Sequence, residues 1–146
     1  MATFSRNVTV DWQGPIMGGS GTAKAGSGAF DLPVTFPRRI GEPEGGTSPE
    51  ELIAGAHAVC YAMVINAAIG KKGGSIGKTH VTCTVTADKG DSGIKIVTSK
   101  LAVTVEGLTG MEAGAFDAFA REAEKGCPVS NALRGNVGIE IETKVS

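Results

Sequence analysis

The chain has 146 residues, which is enough for one domain with a substantial hydrophobic core. Its formal net charge is −1 and its acidic and basic residues are interspersed, which argues against a nucleic-acid surface or a polybasic membrane patch. One Trp and one Tyr offer few surfaces for base stacking. Composition therefore predicts a single soluble domain over residues 1–146, without nucleic acid or a membrane as a partner.

The cysteine count bears on the chemistry that this chain can perform. Residues 1–12 lack both an apolar core segment and a small-residue cleavage site, so we expect no signal peptide and a cytoplasmic location. Thiols in that compartment are normally reduced. Three cysteines, an odd number, therefore indicate free thiols, metal ligands or redox residues rather than a disulfide scaffold.

The segments before residue 47 predict strands and turns. Residues 6–12 alternate between apolar and polar side chains, which is typical of a half-buried strand. The glycine-rich residues 18–28 predict a turn, and residues 29–37 predict an irregular strand because they include two prolines. Arg38 and Arg39 then open a loop that continues to residue 46.

A long helix is predicted from about Pro49 to about Ile69, within the segment from Thr47 to Lys72. Ser48 suits its N-cap, a proline follows at the first helical position, and Glu51 is placed to complete a capping box. The body of the helix is apolar on nearly every face, so protein or lipid must surround it. Its alanine-rich composition, a histidine and an asparagine within it, and the capping signals favour a buried central helix over a membrane span.

The remaining segments complete an α+β pattern. Residues 79–87 and 93–107 alternate cleanly and predict a β-hairpin. Residues 110–125 have the spacing of an amphipathic helix, a short helix is predicted to begin at Pro128, and residues 137–145 predict a closing strand. This order favours mostly antiparallel sheets around the long buried helix and the second, amphipathic helix. The sequence contains no nucleotide-binding motif.

The three cysteines differ in how well their sequence surroundings support a reactive thiol. Cys60 lies in the middle of the apolar helix, where a buried thiol is inert unless a cation approaches it. Cys127 directly precedes a proline at a predicted helix start, where a thiolate is stabilised, and a functional and a structural role are equally supported. Cys83 fits the apolar register of its strand, which favours a structural role.

Two further side chains could support Cys60. Glu50 is ten residues before it, about 15 Å along a helix axis, so it cannot act on the sulfur but can hold an arginine in a bidentate ion pair. His57 is one turn before Cys60, which permits a Cys–His nucleophile pair, although a packed polar residue is the better interpretation. No zinc-ligand spacing and no G-x-S-x-G motif is present in the sequence.

Two motifs together resemble a known family. Gly46–Met63 (GTSPEELIAGAHAVCYAM) and Gly126–Leu133 (GCPVSNAL) are similar to segments of the OsmC/Ohr family, named for osmotically inducible protein C and the organic hydroperoxide resistance proteins. The form of the first motif is closer to the OsmC branch. The resemblance implies a thiol-dependent, peroxiredoxin-like peroxidase in which Cys60 is the peroxidatic thiolate and Cys127 resolves it.

The resemblance also implies how that peroxidase is completed. An arginine held by Glu50 would activate the thiolate; the spacing selects Arg39, with the adjacent Arg38 as the alternative. The family forms an intertwined homodimer, reduces organic hydroperoxides in preference to hydrogen peroxide, is recycled by an external dithiol of the lipoyl type, and needs no metal or organic cofactor. A non-catalytic dimeric stress-protection or binding module and a thiol–disulfide exchanger stay open as alternatives.

Overall fold

The computed structural model describes residues 2–146, which form two three-stranded sheets and four α-helices. The strands are β1 (Val8–Gln13), β2 (Ser20–Ala25), β3 (Asp31–Val34), β4 (Lys78–Gly90), β5 (Gly93–Glu106) and β6 (Gly138–Val145). The helices are α1 (Phe36–Ile40), α2 (Pro49–Lys71), α3 (Phe116–Glu124) and α4 (Pro128–Leu133). The predicted α+β class is confirmed.

The described residues fall into two compact units. The first ends at Leu52 and contains the antiparallel sheet β1–β2–β3; the second is Ile53–Ser146 and contains the sheet β4–β5–β6. In the second sheet β4 pairs with β5 in antiparallel fashion, whereas β6 lies parallel to β5. Helix α2 is continuous through the residue at which the units divide. A single domain over residues 1–146 stays a prediction.

The first unit differs from the sequence prediction in three places. The strand predicted at residues 6–12 to be half-buried is present as β1, but all of its residues are exposed. The glycine-rich segment 18–28 contains strand β2, and a Cβ at Gly21 would lie 2.8 Å from the Trp12 ring, so this glycine permits close strand packing rather than a turn. Within the residues predicted as an irregular strand and a loop, Asp31–Val34 form β3 as expected, whereas Phe36–Ile40 form α1, because the Thr35 hydroxyl accepts a hydrogen bond from the Arg38 amide and caps the helix.

The predicted start of α2 is correct, but its capping box is only half formed. The Ser48 hydroxyl accepts a hydrogen bond of 3.1 Å from the Glu51 amide, as an N-cap serine should. The Glu51 carboxylate, however, accepts from the Thr47 hydroxyl at 2.8 Å and does not return to the serine amide. The hydrogen bond predicted from the Ser48 amide to the Glu51 carboxylate is therefore replaced by one from the hydroxyl of Thr47.

The core of the second unit lies between its sheet and its helices. Alternate residues of β5 are buried and meet the long helix and the amphipathic helix from one side. This cluster comprises Leu101, Val103 and Val105 of β5, Tyr61 and Ile65 of α2, Phe116 and Ala120 of α3, and Cys127. The predicted hairpin and amphipathic helix are thus present, although α3 begins later than expected, after one 3-10 turn at Ala113–Ala115.

Helix α2 is buried along one stripe rather than on all faces, which corrects the prediction of a fully buried helix for the single chain. The buried residues are His57, Tyr61, Ile65 and Ile69. Val59 and Met63 remain 57% and 68% exposed. By length and composition alone α2 could cross a membrane, a test that core helices of soluble proteins also pass.

Candidate active site

Two of the three cysteines lie side by side within the second unit. Cys60 is half-buried on α2 and packs against the core cluster that includes the fully buried Cys127. Cys127 is the N-cap of α4, where its Sγ accepts a hydrogen bond of 3.5 Å from the Ser130 amide. Pro128 occupies the first helical position, as predicted. All three cysteines are free thiols.

The surroundings of Cys60 favour its protonated form. Burial is the largest influence and raises the pKa of the Cys60 thiol, while the backbone N–H of Val129 opposes this rise and the neighbouring Cys127 thiol adds to it. Both of these neighbours belong to the α4 segment. A thiolate at Cys60 therefore needs a further positive charge.

The predicted arginine–glutamate ion pair is present in the first unit. Arg39 donates to Glu50 from Nη2 at 2.7 Å and from Nε at 3.2 Å to both carboxylate oxygens. These hydrogen bonds raise the pKa of Arg39 and lower the pKa of Glu50. Arg38 makes no ion pair within residues 2–146. Arg39 is thus the arginine that Glu50 orients.

His57 does not form the Cys–His pair that its spacing permits. Its ring is fully buried, with Nδ1 2.7 Å from the Ser99 hydroxyl and Nε2 2.6 Å from the Ser130 hydroxyl. Burial lowers the pKa of His57, which keeps the ring neutral. The two serines lie 42 and 73 residues away, so no local sequence pattern could indicate them.

Cys83 belongs to the same buried polar group. Its Sγ lies 3.2 Å from the Ser99 hydroxyl and 3.7 Å from His57 Nδ1. Burial raises the pKa of the Cys83 thiol more than the hydrogen bond to Ser99 lowers it. A protonated thiol fixed in this way agrees with the structural role predicted from its strand register.

The described residues offer no cluster for a metal ion. Within residues 2–146, no group of three or more His, Cys, Asp and Glu side chains is placed to hold one.

Comparison with known proteins gives a consistent result. Residues 41–142 match the family described as OsmC-like protein. Peroxiredoxin OsmC of Escherichia coli (strain K12) is 35% identical over 144 residues, covering 97% of this chain and 99% of that protein. Organic hydroperoxide resistance protein OhrB of Bacillus subtilis (strain 168) is 28% identical over 145 residues, covering 99% of this chain and 100% of that protein.

Solved structures share the fold. The crystal structure of OhrB of Bacillus subtilis gives a TM-score of 0.73 at 24% identity and covers 94% of this chain and 98% of that one. An organic hydroperoxide resistance protein OsmC from Legionella pneumophila gives 0.71 at 26% identity, covering 100% of this chain and 99% of that one. The family predicted from residues 46–63 and 126–133 is confirmed: this protein belongs to the OsmC-like protein family.

Proposed function

We propose that this protein is a thiol-dependent peroxidase that reduces organic hydroperoxides in defence against oxidative stress. The observation that carries the proposal is the pairing of two free thiols, Cys60 on α2 and Cys127 at the start of α4. The names of the relatives, a peroxiredoxin and a hydroperoxide resistance protein, support the same activity and its substrate class.

The first step is reduction of the peroxide by Cys60. The thiolate sulfur attacks the terminal peroxide oxygen, the O–O bond breaks, and the alcohol leaves after taking up a proton, so that a sulfenic acid remains. Because burial raises the pKa of Cys60, this step needs a cation. Arg39 supplies it in the proposal, since its bidentate bond to Glu50 fixes the direction of the guanidinium.

The second step protects the oxidised sulfur. The Cys127 sulfur attacks the sulfenic sulfur, the S–O bond breaks, and water leaves with the thiol proton, forming a Cys60–Cys127 disulfide. An external dithiol, of the lipoyl type in the family, then reduces this disulfide by two exchange reactions. Each cycle thus consumes one hydroperoxide and one dithiol.

We further propose that the chain acts as a cytoplasmic homodimer. The apolar residues that a single chain leaves exposed include Val59 and Met63 on α2, and Val8 and Val10 on β1. Large apolar side chains exposed together on one surface often mark a place where another protein surface packs. A second copy would complete the burial of α2 that the sequence predicts, and a single domain over residues 1–146 fits such a subunit.

Three cysteine variants test the proposed activity. Cys60→Ser should abolish turnover of cumene hydroperoxide with a dithiol reductant, because no sulfur then receives the oxygen. Cys127→Ser should reduce one equivalent of peroxide and then accumulate oxygen on Cys60, detected by intact-protein mass spectrometry. Cys83→Ser is the matched control and should retain wild-type turnover. Unchanged turnover in Cys60→Ser would refute the proposal.

A further inference from the structure

The proposed mechanism makes no use of the fully buried His57. Its ring connects three elements, because Nδ1 bonds to Ser99 on β5 and Nε2 bonds to Ser130 on α4. Buried polar side chains are costly unless both of their hydrogen-bonding atoms have partners, and here both have one. A neutral imidazole with two short hydrogen bonds fixes the elements that it joins.

The His57–Ser130 bond runs alongside the pair of reactive thiols. His57 precedes Cys60 by three residues on α2, and Ser130 follows Cys127 by three residues at the first turn of α4. Residues three apart on a helix share a face, which places His57 close to Cys60, and the Ser130 amide lies 3.5 Å from the Cys127 sulfur. The hydrogen bond and the thiol pair are therefore neighbouring links between the same two segments.

Other hydrogen bonds of the α4 segment hold it to α3. Arg134 donates to the buried Glu124 carboxylate at 2.9 and 3.0 Å, and the Cys127 amide donates to the Glu124 carbonyl at 2.9 Å. Both interactions join α4 to α3. The 2.6 Å bond to His57 ties the first turn of α4 directly to the helix that carries Cys60, beside the weaker contact of the Val129 N–H with the Cys60 thiol.

We propose that His57 and Ser130 are positioning residues that hold Cys127 against Cys60 for disulfide formation. This inference rests on the proposed function for its role in turnover. In that step the Cys127 thiol displaces water from the Cys60 sulfenic acid, and the new S–S bond tolerates only a narrow range of Cα separations and torsion angles. If the first turn of α4 is free to shift, Cys60 and Cys127 spend less time at the separations and torsion angles that the bond requires. Disulfide formation then slows.

Rapid-quench mass spectrometry tests the proposal. Each reduced variant is mixed with one equivalent of cumene hydroperoxide, and the Cys60 sulfenic acid and the disulfide are followed separately, so that the first step is the internal reference. Ser130→Ala should slow disulfide formation about tenfold relative to sulfenic acid formation, the effect of losing roughly one hydrogen bond. Repeated peroxide additions should then raise the fraction of Cys60 sulfinic acid.

Ser99→Ala is the matched control, because it removes the other hydrogen bond of the same ring and leaves the link to α4 intact. It should form the disulfide at the wild-type rate. A second pair of variants guards against loss of folding in Ser130→Ala. His57→Gln places an amide near the Nε2 position, which faces Ser130, and should keep most of the rate. His57→Asn mimics Nδ1 and should lose it. Equal slowing in Ser99→Ala and Ser130→Ala would overturn the proposal, as would a wild-type rate in Ser130→Ala.

An equilibrium measurement separates this proposal from the proposed function. In mixtures of reduced and oxidised glutathione, the Cys60–Cys127 disulfide forms in proportion to the effective concentration of one thiol at the other. Ser130→Ala should lower that equilibrium constant about tenfold and Ser99→Ala should leave it unchanged, whether or not the protein reduces peroxides. Equal constants for the wild type and Ser130→Ala would refute positioning. A wild-type Cys60 that peroxide does not oxidise would refute the peroxidase instead.

Discussion

Replacing Glu50 with glutamine measures what the ion pair with Arg39 contributes to stability. The pair has three donor–acceptor contacts between 2.7 and 3.2 Å, and the two side chains are 26% and 15% exposed. A hydrogen bond to a charged group contributes about 1.5–3 kcal/mol when buried, and partial exposure reduces this. We therefore expect Glu50→Gln to lower the free energy of unfolding by about 1–2 kcal/mol at pH 7.

Urea unfolding at a fixed protein concentration is the assay, followed by circular dichroism and by the fluorescence of Trp12, the one tryptophan, which lies in the same unit as the pair. The difference should depend on pH with a defined sign. Since the ion pair lowers the pKa of Glu50 in the folded protein, its stabilisation is complete above the ordinary glutamate pKa of about 4.5. It should be lost as the pH falls through the folded-state pKa.

The matched control is Glu122→Gln, which breaks the pair between Glu122 and Lys125. Those side chains are 73% and 68% exposed, so stability should change by less than about 0.5 kcal/mol. Equal effects of the two substitutions would show that the burial of the Arg39–Glu50 pair adds nothing. A difference for Glu50→Gln that stayed constant as the pH fell would refute the electrostatic explanation.

Two other predictions concern the proposed cation and the packing beside the thiols. Arg39→Gln should move the pH dependence of Cys60 alkylation by iodoacetamide to higher pH, because burial alone raises the pKa of that thiol. Arg38→Gln should leave this pH profile in place. Identical pH profiles for the two variants would remove Arg39 from the proposed mechanism. Tyr61→Phe should cost about 1 kcal/mol in thermal unfolding, since the buried Tyr61 hydroxyl donates to the Ala120 carbonyl at 2.9 Å, and an unchanged melting temperature would contradict this.

Much of the fold could be predicted because its signals are local. The cap and proline at Ser48–Pro49 mark the start of α2, and alternation marks the β4–β5 hairpin. Strand β2 was not predicted because glycines usually indicate turns. Gly21 is instead a strand residue, and its lack of a Cβ leaves room for the Trp12 ring on the neighbouring strand. The parallel pairing of β6 with β5 is also non-local, since alternation reports burial but not strand direction.

The candidate site likewise has residues that local sequence motifs indicate and contacts that they do not. The two motifs indicated Cys60, Cys127 and Glu50, and the structure selects Arg39 over Arg38 as the partner of Glu50 through their ion pair. Nothing local could show that His57 reaches Ser99 and Ser130, because these contacts exist only when the sheet and α4 are in place.

The distance along the chain between the two thiols has a thermodynamic consequence. Cys60 and Cys127 are near neighbours in the folded protein, yet a bond between them would close a loop from residue 60 to residue 127 in the unfolded chain. In the chain-entropy account, a cross-link of this span disfavours unfolding by about 4 kcal/mol. In the proposed cycle, the oxidised protein would then be the more stable form, and the reductant would return the chain to its less stable form each time.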